Sequence, residues 1–147
     1  MKLSRTLAAA AMLGTALISQ ASAEDILSVE KTYKEIETTF GGIPGFMKVY
    51  PKGAIAGMWQ VTKNFEMSDK TALDPKTKAL IGVAVAAQIP CRYCIWLDTK
   101  TAKQQGASDA EIAEAVTVAA MTRHWSTVLN GMQIDFETFK SEFGGGS

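Results

Sequence analysis

The only two cysteines of the chain, Cys91 and Cys94, are three positions apart and follow a proline at position 90. The proline and the pattern after it predict that the pair opens a helix, on which residues three apart share a face. The two sulfurs are therefore expected to approach closely enough to form a disulfide. Unpaired N–H groups at a helix N-terminus favour a thiolate, and Arg92 adds positive charge. The pattern indicates a redox-active dithiol in which one sulfur attacks and the other resolves.

Three other interpretations of the cysteine pair stay open. It is compatible with an inert structural disulfide, with plain core thiols, or with a metal site completed by Asp98 and His124. A zinc site usually brings a second cysteine pair, which this sequence lacks. A thioredoxin-type module places its C-x-x-C motif among strands, and no strand pattern is present. A bridge that closes so short a loop adds little stability, which favours redox chemistry over a structural role.

The first 23 residues read as a secretory signal peptide. Lys2 and Arg5 precede an apolar run over residues 7–18, and Ala-Ser-Ala at 21–23 forms a cleavage motif. The apolar run is too short to span a bilayer, which takes about 20 residues. The protein is therefore expected to be periplasmic or secreted.

The charge balance excludes several classes of partner. The chain has 15 basic and 15 acidic residues, and removal of Lys2 and Arg5 leaves 13 minus 15, a net charge of −2. Neither a basic patch for nucleic acid nor a polybasic membrane site is present, so no nucleic acid and, after signal cleavage, no membrane is expected as a partner. Residues 24–143 are predicted to form one domain, with a flexible tail at 144–147.

The remaining pattern is helical throughout. Asp74 before Pro75 is a helix start, Ser108 with Glu111 forms a capping box, and Gly106 is a helix stop. Helices are predicted at about 25–40, 46–50, 51–67, 75–88, 91–105, 109–129 and 134–143. The fold class is therefore all-α, with six to seven helices.

Four stretches carry a resemblance to a known family. They are LDPKTKALI at 73–81, VAVAA at 83–87, CRYC at 91–94 and GASDAEI at 106–112. Together they resemble the alkyl hydroperoxidase D (AhpD)-like, C-x-x-C branch of the carboxymuconolactone decarboxylase family. The resemblance implies an AhpD-like helical bundle, a homo-oligomer (trimer or hexamer), and peroxide reduction with thiol–disulfide exchange.

The chain departs from that branch at two positions of its proton relay. Ala79 stands where the branch has a glutamate, and Asp98 stands where it has a histidine. Ala79 transfers no proton, and a carboxylate at Asp98 raises the pKa of a nearby thiol by like-charge repulsion. The resemblance implies that Cys94 attacks peroxide and Cys91 resolves, whereas the helix dipole favours the opposite order. Both orders stay open.

Other residues are weaker candidates. His124, the only histidine, is a candidate for the missing base if its helix passes the cysteines, but also reads as an exposed side chain. Trp96 and Trp125 are candidates for lining a substrate pocket, although tryptophans more often pack. Lys76 and Lys78 are expected to face solvent at the start of their helix.

These observations predict an exported thiol–disulfide oxidoreductase with peroxidase-like (peroxiredoxin-type) antioxidant activity. Its predicted catalytic residues are Cys91, Cys94, Asp98 and His124, and it needs no cofactor and no metal. Its partners are a hydroperoxide or protein disulfide as substrate and a thiol reductant that the sequence does not identify. The alternatives are a lyase like carboxymuconolactone decarboxylase and a non-catalytic member of the fold with a structural disulfide.

Overall fold

A computed structural model describes residues 28–145, so the predicted signal peptide lies outside the described residues. Within 28–145 the secondary structure is helical, without strands, which confirms the all-α class and the predicted number of helices. None of the described helices is long and apolar enough to cross a membrane. The α-helices are α1 (28–40), α2 (Gly45–Lys48), α3 (Lys52–Val61), α4 (Pro75–Gln88), α5 (Arg92–Gln104), α6 (Asp109–Gly131) and α7 (Phe136–Glu142).

The described residues divide into two compact units, 28–67 and 68–145. The described part of the first unit, 28–67, has a small core of four buried side chains: Ile36, Met47, Ile55 and Trp59. The indole Nε1 of Trp59 donates a hydrogen bond of 3.0 Å to Glu35 Oε2, so its one polar atom is paired although the residue is buried.

The helix predicted to run to about residue 67 changes its pitch before it ends. After α3, the segment Thr62–Glu66 is a π-helical turn, closed by a 2.9 Å bond from the Met67 N–H to the Thr62 carbonyl. Such turns break the 3.6-residue period locally. Apolar spacing does not reveal them.

The second unit is organised around α4, which contacts both α5 and α6. The predicted cap is confirmed: the Thr77 N–H donates to Asp74 Oδ1 over 2.9 Å, and Pro75 is the first helical residue. The residues buried at this packing are mostly small. They are Ala79, Val83 and Ala86 of α4, Ala102 of α5, and Ala107 in the following loop.

A tight connection sets the start of α5. Pro90 donates no N–H, and the Cys91 N–H instead bonds the Ala86 carbonyl over 3.1 Å. At the other end, Gly106 takes a φ of +84°, as its predicted role as a helix stop requires. The Ala107 N–H then reaches the Ala102 carbonyl over 2.9 Å, which closes a Schellman-type end.

Glu111 joins the start of α6 to α4. Its Oε2 accepts from the Ser108 N–H over 2.7 Å, and Ser108 Oγ accepts from the Glu111 N–H over 3.1 Å, which confirms the predicted capping box. Its Oε1 accepts from Lys76 Nζ over 2.7 Å, so Lys76, whose side chain is 38% exposed, forms an ion pair that the sequence did not predict. The Lys76 ammonium, helped by the bonds from Ser108, lowers the pKa of Glu111 to about 2.

The lowered pKa of Glu111 gives a testable pH dependence. Because the pKa falls from 4.5 to about 2 on folding, the carboxylate contributes stability above pH 4.5, and that contribution is lost as the pH falls toward 2. We expect Glu111→Gln to be less stable than the parent protein at pH 7 and to differ less from it near pH 2, as measured by urea unfolding. Glu114→Gln, an exposed change on the same helix, is the control. Parallel stability curves for the parent protein and Glu111→Gln would contradict the assignment.

Candidate redox site

Cys91 and Cys94 form the disulfide at the N-terminus of α5. Cys91 is the N-cap residue and Cys94 lies in the first turn, with their Cα atoms 5.3 Å apart. The Cys94 N–H donates to Cys91 Sγ over 3.3 Å, so this sulfur occupies the position of a capping oxygen. Both cysteines are half-buried, which leaves the pair within reach of a reactant.

The N-cap position of Cys91 gives the two sulfurs different electrostatic surroundings. In the reduced protein, a thiolate at Cys91 would receive a helix N–H and the positive end of the helix dipole. Cys94 shares its helix face with Asp98, four residues further on, and a carboxylate there disfavours a second negative charge. The geometry therefore favours Cys91 as the thiolate.

Asp98 packs against the backbone of α4 at a glycine. A Cβ built on Gly82 would lie 2.9 Å from Asp98 Oδ2 and 3.0 Å from its Cγ, closer than real side chains approach. Glycine is therefore what lets this carboxyl enter the space between α4 and α5. Burial there raises the pKa of Asp98, because removal from water disfavours the charged form.

Ala79, at the position of the glutamate in the related branch, is part of the packing. It is 7% exposed and clusters with Ala102 and Ala107. The residue is thus a core side chain in this protein, and the carboxyl of Asp98 enters the same α4–α5 contact from the other helix, beside Gly82.

The structure does not bring His124 to the cysteines. His124 is exposed on α6, and its ring contacts that of Trp125 at 5.1 Å between centroids. Within residues 28–145, no hydrogen bond or ion pair joins it to Cys91 or Asp98, so its role as a base stays a prediction. Trp125 is 53% exposed rather than packed.

The metal interpretation has no geometric support in the described part of the chain. The two sulfurs are bonded to each other, and no group of three or more His, Cys, Asp or Glu side chains there could hold an ion.

Sequence reasoning missed Gly82 as a site residue. Its signal was a glycine inside a strong helical pattern, which costs about 1 kcal/mol relative to alanine and calls for a packing reason.

The comparisons with known proteins agree with this fold. The model of the carboxymuconolactone decarboxylase family matches residues 54–135, and the chain belongs to that family. A solved structure, the alkylhydroperoxidase AhpD core from Rhodospirillum rubrum, superimposes with a TM-score of 0.65 over 81% of this chain and 90% of that one. At 24% sequence identity, this likeness shows the fold and not the activity.

A curated relative extends the comparison without adding a function. The chain is 48% identical over 52 residues to "Uncharacterized protein 4 in cox locus" of Paracoccus denitrificans. The match takes in 35% of this chain and spans 47%, about half, of the relative's length. Family membership and fold are thus shown, and the chemistry must be argued from the site.

Substitution of Gly82 tests the close approach of Asp98. Gly82→Ala in a helix interior should by itself stabilise the fold by about 1 kcal/mol. Because a Cβ meets the Asp98 carboxyl, we expect the free energy of unfolding to rise by clearly less than that, or to fall. In the background of Asp98→Ala the full gain should return, since the obstructing carboxyl is gone.

A glycine without neighbours provides the matched control. A Cβ at Gly57, inside α3, would meet no atom of residues 28–145 within 4 Å apart from its own helix backbone, so Gly57→Ala should show the full gain in both backgrounds. Equal gains for Gly82→Ala with and without Asp98 would contradict the contact. Urea unfolding of Gly82→Ala and of Gly57→Ala, each with and without Asp98→Ala and each compared with its own background, is sufficient to decide.

Proposed function

We propose that this protein is a thiol–disulfide oxidoreductase with peroxidase-like activity, acting through Cys91 and Cys94. The observation that carries the proposal is the hydrogen bond of 3.3 Å from the Cys94 N–H to Cys91 Sγ at the N-cap of α5. A sulfur held at a helix N-cap and open to reactants has the features of an activated thiolate. A neighbouring sulfur in the same turn can then resolve the oxidised product.

The proposed reaction begins with the reduced pair. The Cys91 thiolate attacks the outer oxygen of a hydroperoxide, the O–O bond breaks, and the alkoxide that leaves takes up a proton to become an alcohol. Cys91 is then a sulfenic acid. The Cys94 thiol attacks this sulfur, water leaves, and the disulfide of the structure is formed. A dithiol donor returns both thiols while it is itself oxidised to a disulfide.

Asp98 is the proposed proton donor to the departing alkoxide. Burial against α4 raises the pKa of Asp98, so it keeps a proton more readily than an exposed aspartate. It shares a helix face with Cys94 and is thus on the side of the resolving thiol.

Export and self-association complete the proposal. The signal peptide predicted at residues 1–23 supports a periplasmic or secreted location. Self-association is supported by α6, which has no buried residue in the described part of the chain, and whose apolar side chains Val118 and Met121 are 65% and 47% exposed. Apolar area of this kind is usually covered by a partner, and a homo-oligomer (trimer or hexamer) would cover it.

Two other functions make different predictions. A lyase of the kind that gives the family its name does not need the cysteines, so its activity would survive Cys91→Ser combined with Cys94→Ser. A non-catalytic protein with a structural disulfide would turn over with no thiol donor. The core position of Ala79, where no relay acid is possible, is the observation that favours this second alternative.

Thiol counting on the reduced protein tests the reaction. We expect one equivalent of an organic hydroperoxide to consume two thiols per chain and yield one alcohol. Cys94→Ser should stop at a sulfenic acid that dimedone traps on Cys91. Cys91→Ser should react at least about tenfold more slowly, since one pKa unit changes the thiolate fraction about tenfold.

The same thiol assay can also refute the proposal or change the roles of the two cysteines. A thiol count unchanged by both hydroperoxide and a dithiol or disulfide partner would refute the redox function. Full reactivity of Cys91→Ser with loss in Cys94→Ser would reverse the order of the two cysteines. His124→Gln tests the predicted base. Because His124 is exposed and makes no bond to the cysteines in the described chain, this variant should react at the rate of the parent protein.

A further inference from the structure

An open groove of about 750 Å³ follows one side of α5, and its lining residues all belong to this helix and include neither cysteine. Its apolar surface comes from Ile95 and Trp96, and its charged surface comes from Arg92, Lys100 and Lys103. No acidic residue of the described chain lines it. The groove therefore combines an apolar strip with positive charge only.

Two of the cations have no carboxylate partner among residues 28–145. Lys103 is paired with Asp109 over 2.7 Å. Arg92 instead lies over the ring of Tyr93, and Lys100 Nζ lies over the ring of Trp96, each at 5.1 Å. Because the chain as a whole has as many acids as bases, this local excess of positive charge does not follow from composition.

The spacing places the two unpaired cations at the ends of an apolar strip. Arg92, Trp96 and Lys100 are each four residues apart, so they share one side of α5 over about 12 Å. The Trp96 side chain between them is 65% exposed. An exposed indole flanked by unneutralised cations suits a ligand with an apolar body and a negative head.

We propose that this groove binds a small anionic amphiphile, a carboxylic acid with an apolar chain or ring. The carboxylate pairs with Arg92 or Lys100, and the apolar part lies on Trp96 and Ile95. Cys94 and Asp98 are each two residues from the nearest members of the set Arg92, Trp96 and Lys100 and so lie on another side of α5, which makes the groove a site separate from the cysteine pair.

Binding to the oxidised full chain tests the groove without any turnover. The probes are decanoate below its micelle-forming concentration, 1-decanol with the same chain but no charge, and acetate with the charge but no chain. By calorimetry, we expect decanoate to bind about fivefold more tightly than decanol, and acetate not to bind, since an exposed charge pair contributes up to about 1 kcal/mol. Added salt should reduce the preference for decanoate.

Substitutions test which residues bind the carboxylate of the ligand and which bind its apolar part. Arg92→Gln with Lys100→Gln should weaken decanoate about fivefold, to the affinity of decanol, and leave decanol unchanged. Trp96→Ala should weaken both. Lys34→Gln with Lys48→Gln removes the same charge from exposed positions outside the groove and should change neither.

Several outcomes would overturn the inference: no binding of decanoate, equal affinity for decanoate and decanol, or unchanged decanoate binding in Arg92→Gln with Lys100→Gln. The failure of the redox function is distinguishable from these. Cys91→Ser with Cys94→Ser should bind decanoate like the parent protein. Hydroperoxide reduction without decanoate binding would leave the proposed function standing and refute the groove.

Discussion

The close approach of α4 and α5 is the constraint on which the candidate site depends. The buried positions at this packing are small, with Ala79 and Ala86 on α4 and Ala102 on α5. Small side chains let helix backbones approach, and a protein interior leaves no room for larger ones without displacement. The connection through Pro90 then starts α5 directly at Cys91, so the start of the redox helix is determined by the end of α4.

The packing of α4 against α5 gives a physical reason for Ala79 and Asp98, the two residues that differ from the related branch. An acid at position 79 would enter a cluster of alanines, where an unpaired charge is costly. A carboxyl is accommodated instead at Asp98, because Gly82 leaves space for it one turn further along α4. Gly82 and Asp98 are thus coupled, and a change at one is expected to alter what the other tolerates.

Local signals in the sequence were enough for most of the fold and for part of the site. The caps at Asp74 and Ser108 and the stop at Gly106 were predictable because each satisfies helix-end groups from a few residues away. The π-helical turn after α3, the contact of Gly82 with Asp98, and the partner of Lys76 were not. They depend on which helices pack together and how closely, and sequence spacing within one helix contains no such information. For the same reason, sequence left two interpretations of His124 open, a base near the cysteines and an exposed side chain, and the structure shows it exposed.

The most direct test of the central claim is the reduction potential of the Cys91–Cys94 couple, obtained by equilibrating the protein in dithiol–disulfide buffers. An activated sulfur at the helix N-cap stabilises the reduced, thiolate form, so the account predicts a potential above about −300 mV, in the range of exchanging pairs. A potential well below about −300 mV would mean that Cys91 and Cys94 form a structural bridge. That result would contradict the account.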